Sequence, residues 1–264
     1  MKINPKLIKH QESIYESCIC FLKNTIEAGV LFASHSLGNL ADISATEKLN
    51  KIRIDVKLKN PVFACLGLQM AWETKGMLVS GPVRAMLKKP KSIFAKISTK
   101  ETFDECVICI EEADVPVSKE AICELMSEYS IKNAQVLVLE KESKIAQTAN
   151  ILSRAIETAI FRMHFDNLNC PVDEAKSSCT ADLNKIENCD DASFYLNDCL
   201  RYNAEVVLSG KIKDNILQKY TTQNSGFKSQ SFGEIYKKAG SMNNMPLEAF
   251  SVKSLIGSPE PILY

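Results

Sequence analysis

The sequence has no surplus of either charge: Lys and Arg total 32 and Asp and Glu total 32 in 264 residues. A nucleic-acid partner would find no basic excess to meet it, so none is expected. Long apolar runs are missing too, which excludes a bilayer-spanning helix and leaves no reason to expect a membrane partner. The opening stretch, MKINPKLIKHQESIYES, lacks the apolar centre of a secretion signal. Histidine is scarce, with three in the chain, and there is one tryptophan. His35 has no second His or Cys at ligand spacing, which argues against a metal site. Cysteine is present ten times but scattered. Such usage is expected of reduced thiols in a cytoplasmic protein. Cys106 and Cys109 form C-x-x-C, yet on a strand they point to opposite faces. Cys18 and Cys20 point the same way and read as buried thiols, and the spacing of Cys170, Cys179 and Cys189 fits no zinc module. No repeat and no low-complexity segment is found.

What is present is a globular composition, 45% hydrophobic, in a chain long enough for one large domain or two small ones. The stretch Ala146 to Phe165 has no Gly or Pro and predicts one helix. Leu152, Ala155, Ile156, Ala159, Ile160 and Met163 share its apolar side. Arg154 and Glu157 lie three apart and are neighbours on the polar side, with Asn150 and Phe161. Such a face is more often plain solvated surface than the wall of a cleft.

Strands are expected at Cys18–Leu22, Ile52–Leu58, Cys106–Ala113, Gln135–Glu140 and Ala204–Leu208. Between the third and fourth, SKEAICELMSEY predicts a helix capped by Ser118, giving a βαβ unit within residues 104–141. The helix from Ala146 then starts near the carboxyl end of a strand, where open α/β sheets bind ligands. Gly29, Gly38 and Asn39 suggest turns, and Asp42 a short polar loop. Ser80-Gly81-Pro82, followed by Arg84, is a loop that can bring backbone close to a ligand. A side chain at Gly81 is expected to weaken ligand binding and leave the fold intact. Lys88, Lys89 and Lys91 around Pro90 read as a solvated turn or an anion contact. Beyond Asp166 the chain turns polar and reads as a long connection with some helix. Phe232–Ala239 predicts a short helix.

Several stretches, in order along nearly the whole chain, resemble the methenyltetrahydromethanopterin cyclohydrolases of one-carbon metabolism in methanogenic and some methylotrophic organisms. They are EAGVLFASHSLGNLADIS, NPVFACLGLQMAW, SGPVRAMLKKPKSIF and SRAIETAIFRM, and more faintly SGFKSQSFGEIYKKA and LEAFS. The resemblance implies residues 1–264 as one family unit, a two-lobed α/β protein with a ligand pocket between the lobes, assembled as a homotrimer. It implies a pterin substrate, no metal or redox cofactor, and addition of water to the 5,10-methenyl carbon to give the N5-formyl form. Glu157 and Arg154 match the family's catalytic pair. Gln69, Ser80, Gly81, Pro82, Arg84 and Phe250 fall at substrate-binding positions.

This chain departs from the family at several points. Where the family has Ser-Gln-Lys-Ala-Gly-Trp, it reads Leu68-Gln69-Met70-Ala71-Trp72, without the lysine. Val79 replaces a glycine before Ser80. Ser177-Ser178-Cys179-Thr180 replaces Gly-Arg-Cys-Pro, Tyr202-Asn203-Ala204-Glu205 replaces a Tyr-Gly-Ser pattern, and both ends are shorter. Side chains in place of glycines narrow a pocket. A second implication is therefore a non-catalytic, pterin-binding or regulatory member of the same family.

Overall fold

The computed structural model describes residues 3–14, 17–97, 105–112, 116–165, 171–189, 191–210, 231–240, 245–246 and 254–257. In chain order the strands and helices are β1 (Ile8–Ile14), β2 (Ser17–Leu22), α1 (Ile26–Ser36), β3 (Ala41–Lys48), β4 (Lys51–Lys59), a π-helix (Phe63–Gln69), β5 (Trp72–Thr74) and β6 (Met77–Ser80). They continue through α2 (Pro82–Leu87), α3 (Lys91–Phe94), β7 (Val107–Glu112), α4 (Lys119–Glu128), β8 (Gln135–Leu139), α5 (Lys144–Leu152), α6 (Ala155–Phe165) and β9 (Val172–Asp182). α7 (Leu183–Glu187), α8 (Ala192–Asn203), β10 (Glu205–Gly210), α9 (Phe232–Ala239) and β11 (Ser254–Gly257) follow. The class is mixed α/β.

Two sheets organise these elements. The first has six strands in the order β1-β2-β8-β7-β6-β5, the second five in the order β11-β10-β9-β4-β3. In the first, β2, β8 and β7 run parallel. They are apolar without interruption because both faces are covered. Ile19, Ile108, Ile110, Val136 and Val138 meet Ile122, Leu125 and Met126 of α4. Cys20, Leu22, Val107, Cys109, Leu137 and Leu139 meet Ala28 and Phe32 of α1 and Ala146 of α5. The βαβ unit predicted between residues 104 and 141 is present as β7-α4-β8, with Ser118 Oγ accepting from Ala121 N at the helix start. Cys106 and Cys109 contact opposite clusters, as a strand requires.

The second sheet is built on β4, whose Ile52, Ile54, Val56 and Leu58 all face inward. It is here that the sequence-based expectations fail most. Residues 172–182 are not connection but the central strand β9, hydrogen-bonded to β4 and β10 on either side. Asp42 lies in strand β3, opposite Lys57, and not in a loop. Gly29 lies inside α1, while Gly38 and Asn39 do form the turn after it, both with positive φ.

Gly29 has a packing reason: a Cβ there would stand 2.1 Å from the Ala146 carbonyl oxygen and 2.9 Å from Ala149 Cβ. It is the contact point of α1 with α5. Gly29→Ala is expected to cost about 3 kcal/mol, because backbone must move to admit the methyl. Urea unfolding of the variant beside wild type measures it.

The predicted single helix from Ala146 to Phe165 is two helices. α5 ends at Leu152 and α6 begins at Ala155. Ser153 Oγ donates to Asn150 O at 2.6 Å, and Arg154 N donates to Ile151 O, three residues back, at 3.0 Å. A serine returning its hydroxyl to the preceding turn bends a helix, and the tighter bond at Arg154 completes the break.

Candidate functional site

The break in the helix sets the direction of Arg154, and with it the site. Arg154 Nε donates to Glu157 Oε2 at 2.5 Å across one helical turn. Its Nη1 donates to Glu111 Oε1 at 3.3 Å, so a single guanidinium is held between two carboxylates. Neither carboxylate is at the surface: Glu157 is 8% exposed and Glu111 6%. The polar face of the helix is therefore not solvated. Asn150 is buried on it, and Phe161 packs against the core of the second sheet.

Charge in this environment is held by mutual neutralisation. Burial alone would lower the pKa of Arg154, but the charges of Glu157 and Glu111 reverse that and raise it above the ordinary guanidinium value. Burial pushes the Glu111 carboxyl up; Arg154 opposes this and Glu157 adds to it. Cys65, wholly buried beside the group, has its thiol pushed well up, first by burial and then by Glu157.

Glu111 was not among the residues singled out from sequence. It sits at the carboxyl end of β7, on the same face as Val107 and Cys109, opposite Leu78 of β6 and Leu139 of β8. A carboxylate at an inward position of an otherwise apolar strand was the available signal.

The loops predicted to bind ligand converge on the same group. Gln69 ends the π-helix, a form that recurs at functional sites. Its Nε2 donates to Ser153 Oγ at 3.2 Å, next to Arg154. The expected Ser80–Pro82 loop is reduced to one residue, since Ser80 ends β6 and Pro82 opens α2. Gly81 N between them donates to Leu68 O at 2.9 Å, tying this junction to the end of the π-helix. Pro82 is buried in the first turn of α2, where its missing N–H costs nothing.

Arg84 is fully buried, and it staples two segments. Nη1 donates to Leu66 O at 2.9 Å and Nε to Lys89 O at 3.1 Å. Burial lowers its pKa to about 9, with Glu157 opposing and Arg154 adding. Phe250 lies outside the described residues. Lys89, offered by the sequence as a solvated or anion-binding lysine, stands over the rings of Trp72 and Tyr129 at 5.8 and 5.2 Å. That is a cation–π role.

Three buried polar atoms of this group make no hydrogen bond to another described residue: Gln69 Oε1, Ser80 Oγ and Arg84 Nη2. The buried Asn150 side chain lies beside the Glu111 carboxyl and favours its charged form. Buried polar atoms are nearly always paired, so each unpaired one calls for an explanation. One oxygen acceptor, one hydroxyl and one N–H donor around a buried ion triad can serve a polar ligand. Among the described residues, no group of three or more His, Cys, Asp or Glu is disposed to hold a metal.

Gly81 differs from the sequence-based expectation. Its φ is +93°, and a Cβ would stand 3.3 Å from Val107 O and 3.4 Å from Cys109 Sγ. A side chain there strains the backbone as well as altering the site. Gly81→Ala is expected to lose about 1–3 kcal/mol of stability, seen as a lower unfolding midpoint.

Known proteins are similar to this chain along most of its length. The methenyltetrahydromethanopterin cyclohydrolase of Methanoregula boonei is 28% identical over 231 residues, covering 81% of this chain and 71% of that protein. That of Methanosarcina mazei is 32% identical over 163 residues, covering 54% of this chain and 48% of the relative. That of Methanococcoides burtonii is 26% identical over 261 residues, covering 91% and 79%. The family described as Cyclohydrolase (MCH) matches residues 18–256, nearly the whole length, and the chain belongs to that family.

Proposed function

We propose that the protein hydrolyses 5,10-methenyltetrahydromethanopterin, or a closely related methenyl-tetrahydropterin, to the N5-formyl form. The observation that carries this reading is the buried Arg154–Glu157 pair at the helix break, with unpaired polar atoms of Gln69, Ser80 and Arg84 around it. The methenyl carbon belongs to a cationic amidinium and is already electrophilic, so the protein has to manage water and protons. In this account Glu157 takes a proton as the water oxygen bonds to the methenyl carbon. The carbon–nitrogen bond away from N5 then breaks, and Glu157 returns the proton to the departing nitrogen. The adduct's hydroxyl loses its own proton and becomes the formyl oxygen. The balance is one water consumed and one proton released per cation hydrolysed. Arg154 orients Glu157 and hydrogen-bonds the developing oxygen.

The substrate would lie between the two sheets, against Gln69 and the junction Ser80–Pro82, with Arg84 behind it. Phe250 is assigned to substrate binding on the resemblance alone. A homotrimer in the cytoplasm goes with the same reading, and sedimentation velocity tests the assembly. A second reading, a non-catalytic pterin-binding or regulatory paralogue, is favoured by Met70, which stands where the family has lysine.

The test is spectrophotometric. Purified protein is mixed with methenyltetrahydromethanopterin and, separately, methenyltetrahydrofolate. Loss of the methenyl absorption above the spontaneous rate with the first supports the proposal. Saturable binding without turnover of either supports the paralogue.

A further inference from the structure

We infer that Glu111 is a positioning residue of this site: from β7 of the six-stranded sheet it grips the far end of the Arg154 guanidinium and fixes the direction in which Arg154 presents Glu157. This deepens the function proposed above and rests on it. Arg154 sits in the two-residue break between α5 and α6. Its own N–H is bonded to Ile151 O and its carbonyl accepts from Thr158 N, so its backbone is tied only to that same helical segment. Glu157, one turn on, belongs to the same segment and moves with it. Glu157 alone therefore cannot fix the pair relative to the rest of the protein.

Glu111 lies 43 positions away in sequence, on a strand whose neighbours on both sides are fixed by ladder bonds. Its contact joins the helix break, packed on the core of the second sheet, to the first sheet. A guanidinium bonded through Nε to one carboxylate and through Nη1 to another has lost its freedom to rotate. Misplacement of a reacting group by about 1 Å can cost on the order of a hundredfold in rate.

Charge supports the same role. The charged groups facing Glu111 and its partner are Arg154, Glu157 and, behind them, Arg84, with the thiols of Cys65 and Cys109 alongside. With both carboxylates ionised, two guanidinium groups and two carboxylates sum to zero. Removing the Glu111 charge leaves the group one unit positive, which opposes a cationic substrate and draws Glu157 more tightly to Arg154.

The decisive variant is Glu111→Gln, which keeps volume and removes charge. Turnover is expected to fall by about tenfold to a hundredfold. The acid limb of its pH–rate profile should move to lower pH, because a negative neighbour of the base has gone. On an Arg154→Lys background the same substitution should add little, as for residues acting as one unit. A wild-type pH profile in Glu111→Gln, or losses that multiply independently with those of Arg154→Lys, would overturn the inference.

If the glutamine variant does not fold, Glu111→Asp takes its place. It keeps the charge one methylene short of Arg154, so a fall in turnover with the acid limb unmoved is expected, and wild-type turnover counts against positioning. A readout independent of turnover separates this inference from the function it rests on. In protein labelled with carboxyl-¹³C glutamate, one carboxyl should titrate above the ordinary range in wild type, disappear in Glu111→Gln and move higher in Arg154→Met. If wild type hydrolyses no methenyl-pterin yet shows this behaviour, the function falls and the coupling of Glu111 to Arg154 stands. If the signal ignores Arg154, the positioning role falls.

Discussion

Glu157→Gln is expected to bind the methenyl-pterin about as well as wild type and to turn it over at roughly a hundredth of the rate or less, the loss typical of a positioned acid–base group. The side chain keeps its volume and one oxygen to accept from Arg154 Nε, so the site keeps its shape. What disappears is the group that can take the proton from water and hand it to the leaving nitrogen. Glu157 is nearly buried and ion-paired, so a solvated charge without consequence is no longer a competing description. Equilibrium binding and initial-rate measurements on one preparation separate the two parameters. A fall in affinity with turnover intact would make Glu157 a substrate anchor and leave the base unassigned.

Arg154→Met is expected to cost about 3 kcal/mol of stability. That is the low end of the range for a broken buried pair, since the Arg154 side chain keeps 17% exposure. The loss leaves Glu111 and Glu157 facing each other without the guanidinium that bridges them, Arg84 being the one cation left behind the pair among the described residues. It should also depend on pH in a defined sense. Glu111 already has a raised pKa in the folded protein, and removing Arg154 takes away what opposes the rise. A carboxyl with a raised folded-state pKa costs nothing while it is protonated in both states, below the ordinary glutamate value of about 4.3. The penalty grows as pH rises from there to the folded-state pKa and is constant above it. The difference in unfolding midpoint between variant and wild type should therefore be small near pH 4.5 and larger at pH 8. A difference independent of pH would mean that Arg154 contributes by packing alone.

Sequence reasoning recovered the three parallel strands of the first sheet, β2, β7 and β8, and missed its other three, β1, β5 and β6. CICFL, VICIEE and QVLVL are short, apolar on both faces and bounded by turn residues, which is what parallel strands sandwiched between helices require. The second sheet was half legible. IRIDVKL alternates cleanly, but β9 presents Val172, Ala175, Ser177, Cys179 and Ala181 inward. Most of those inward residues are small or weakly apolar, and the intervening Asp, Glu and Lys dominate the composition, so the strand reads as polar loop. Its tolerance of small residues follows from α6 and α8, which lie against it and supply the apolar bulk.

At the site, Arg154 and Glu157 were legible as a pair at helical spacing. Their burial was not, since it comes from Glu111 on a distant strand and from a helix break caused by one serine hydroxyl. Glu111 itself followed two apolar positions on its own face, Val107 and Cys109, and looked like the polar end of a strand. Long-range juxtaposition of this kind has no local periodicity to reveal it. Arg84 was read as a ligand contact. Its bonds to Leu66 O and Lys89 O give it a structural task first, with one nitrogen left for anything else.

The account rests on the claim that the Arg154–Glu157 pair, held from Glu111, adds water to a methenyl carbon. The most direct test is the initial rate at which wild-type protein removes the methenyl absorption of methenyltetrahydromethanopterin, measured beside Glu157→Gln and the uncatalysed reaction. The account predicts a saturable wild-type rate far above the spontaneous one, with Glu157→Gln close to the spontaneous rate while still binding. A wild-type protein that binds the compound, leaves its absorption unchanged and does not differ from Glu157→Gln would contradict it.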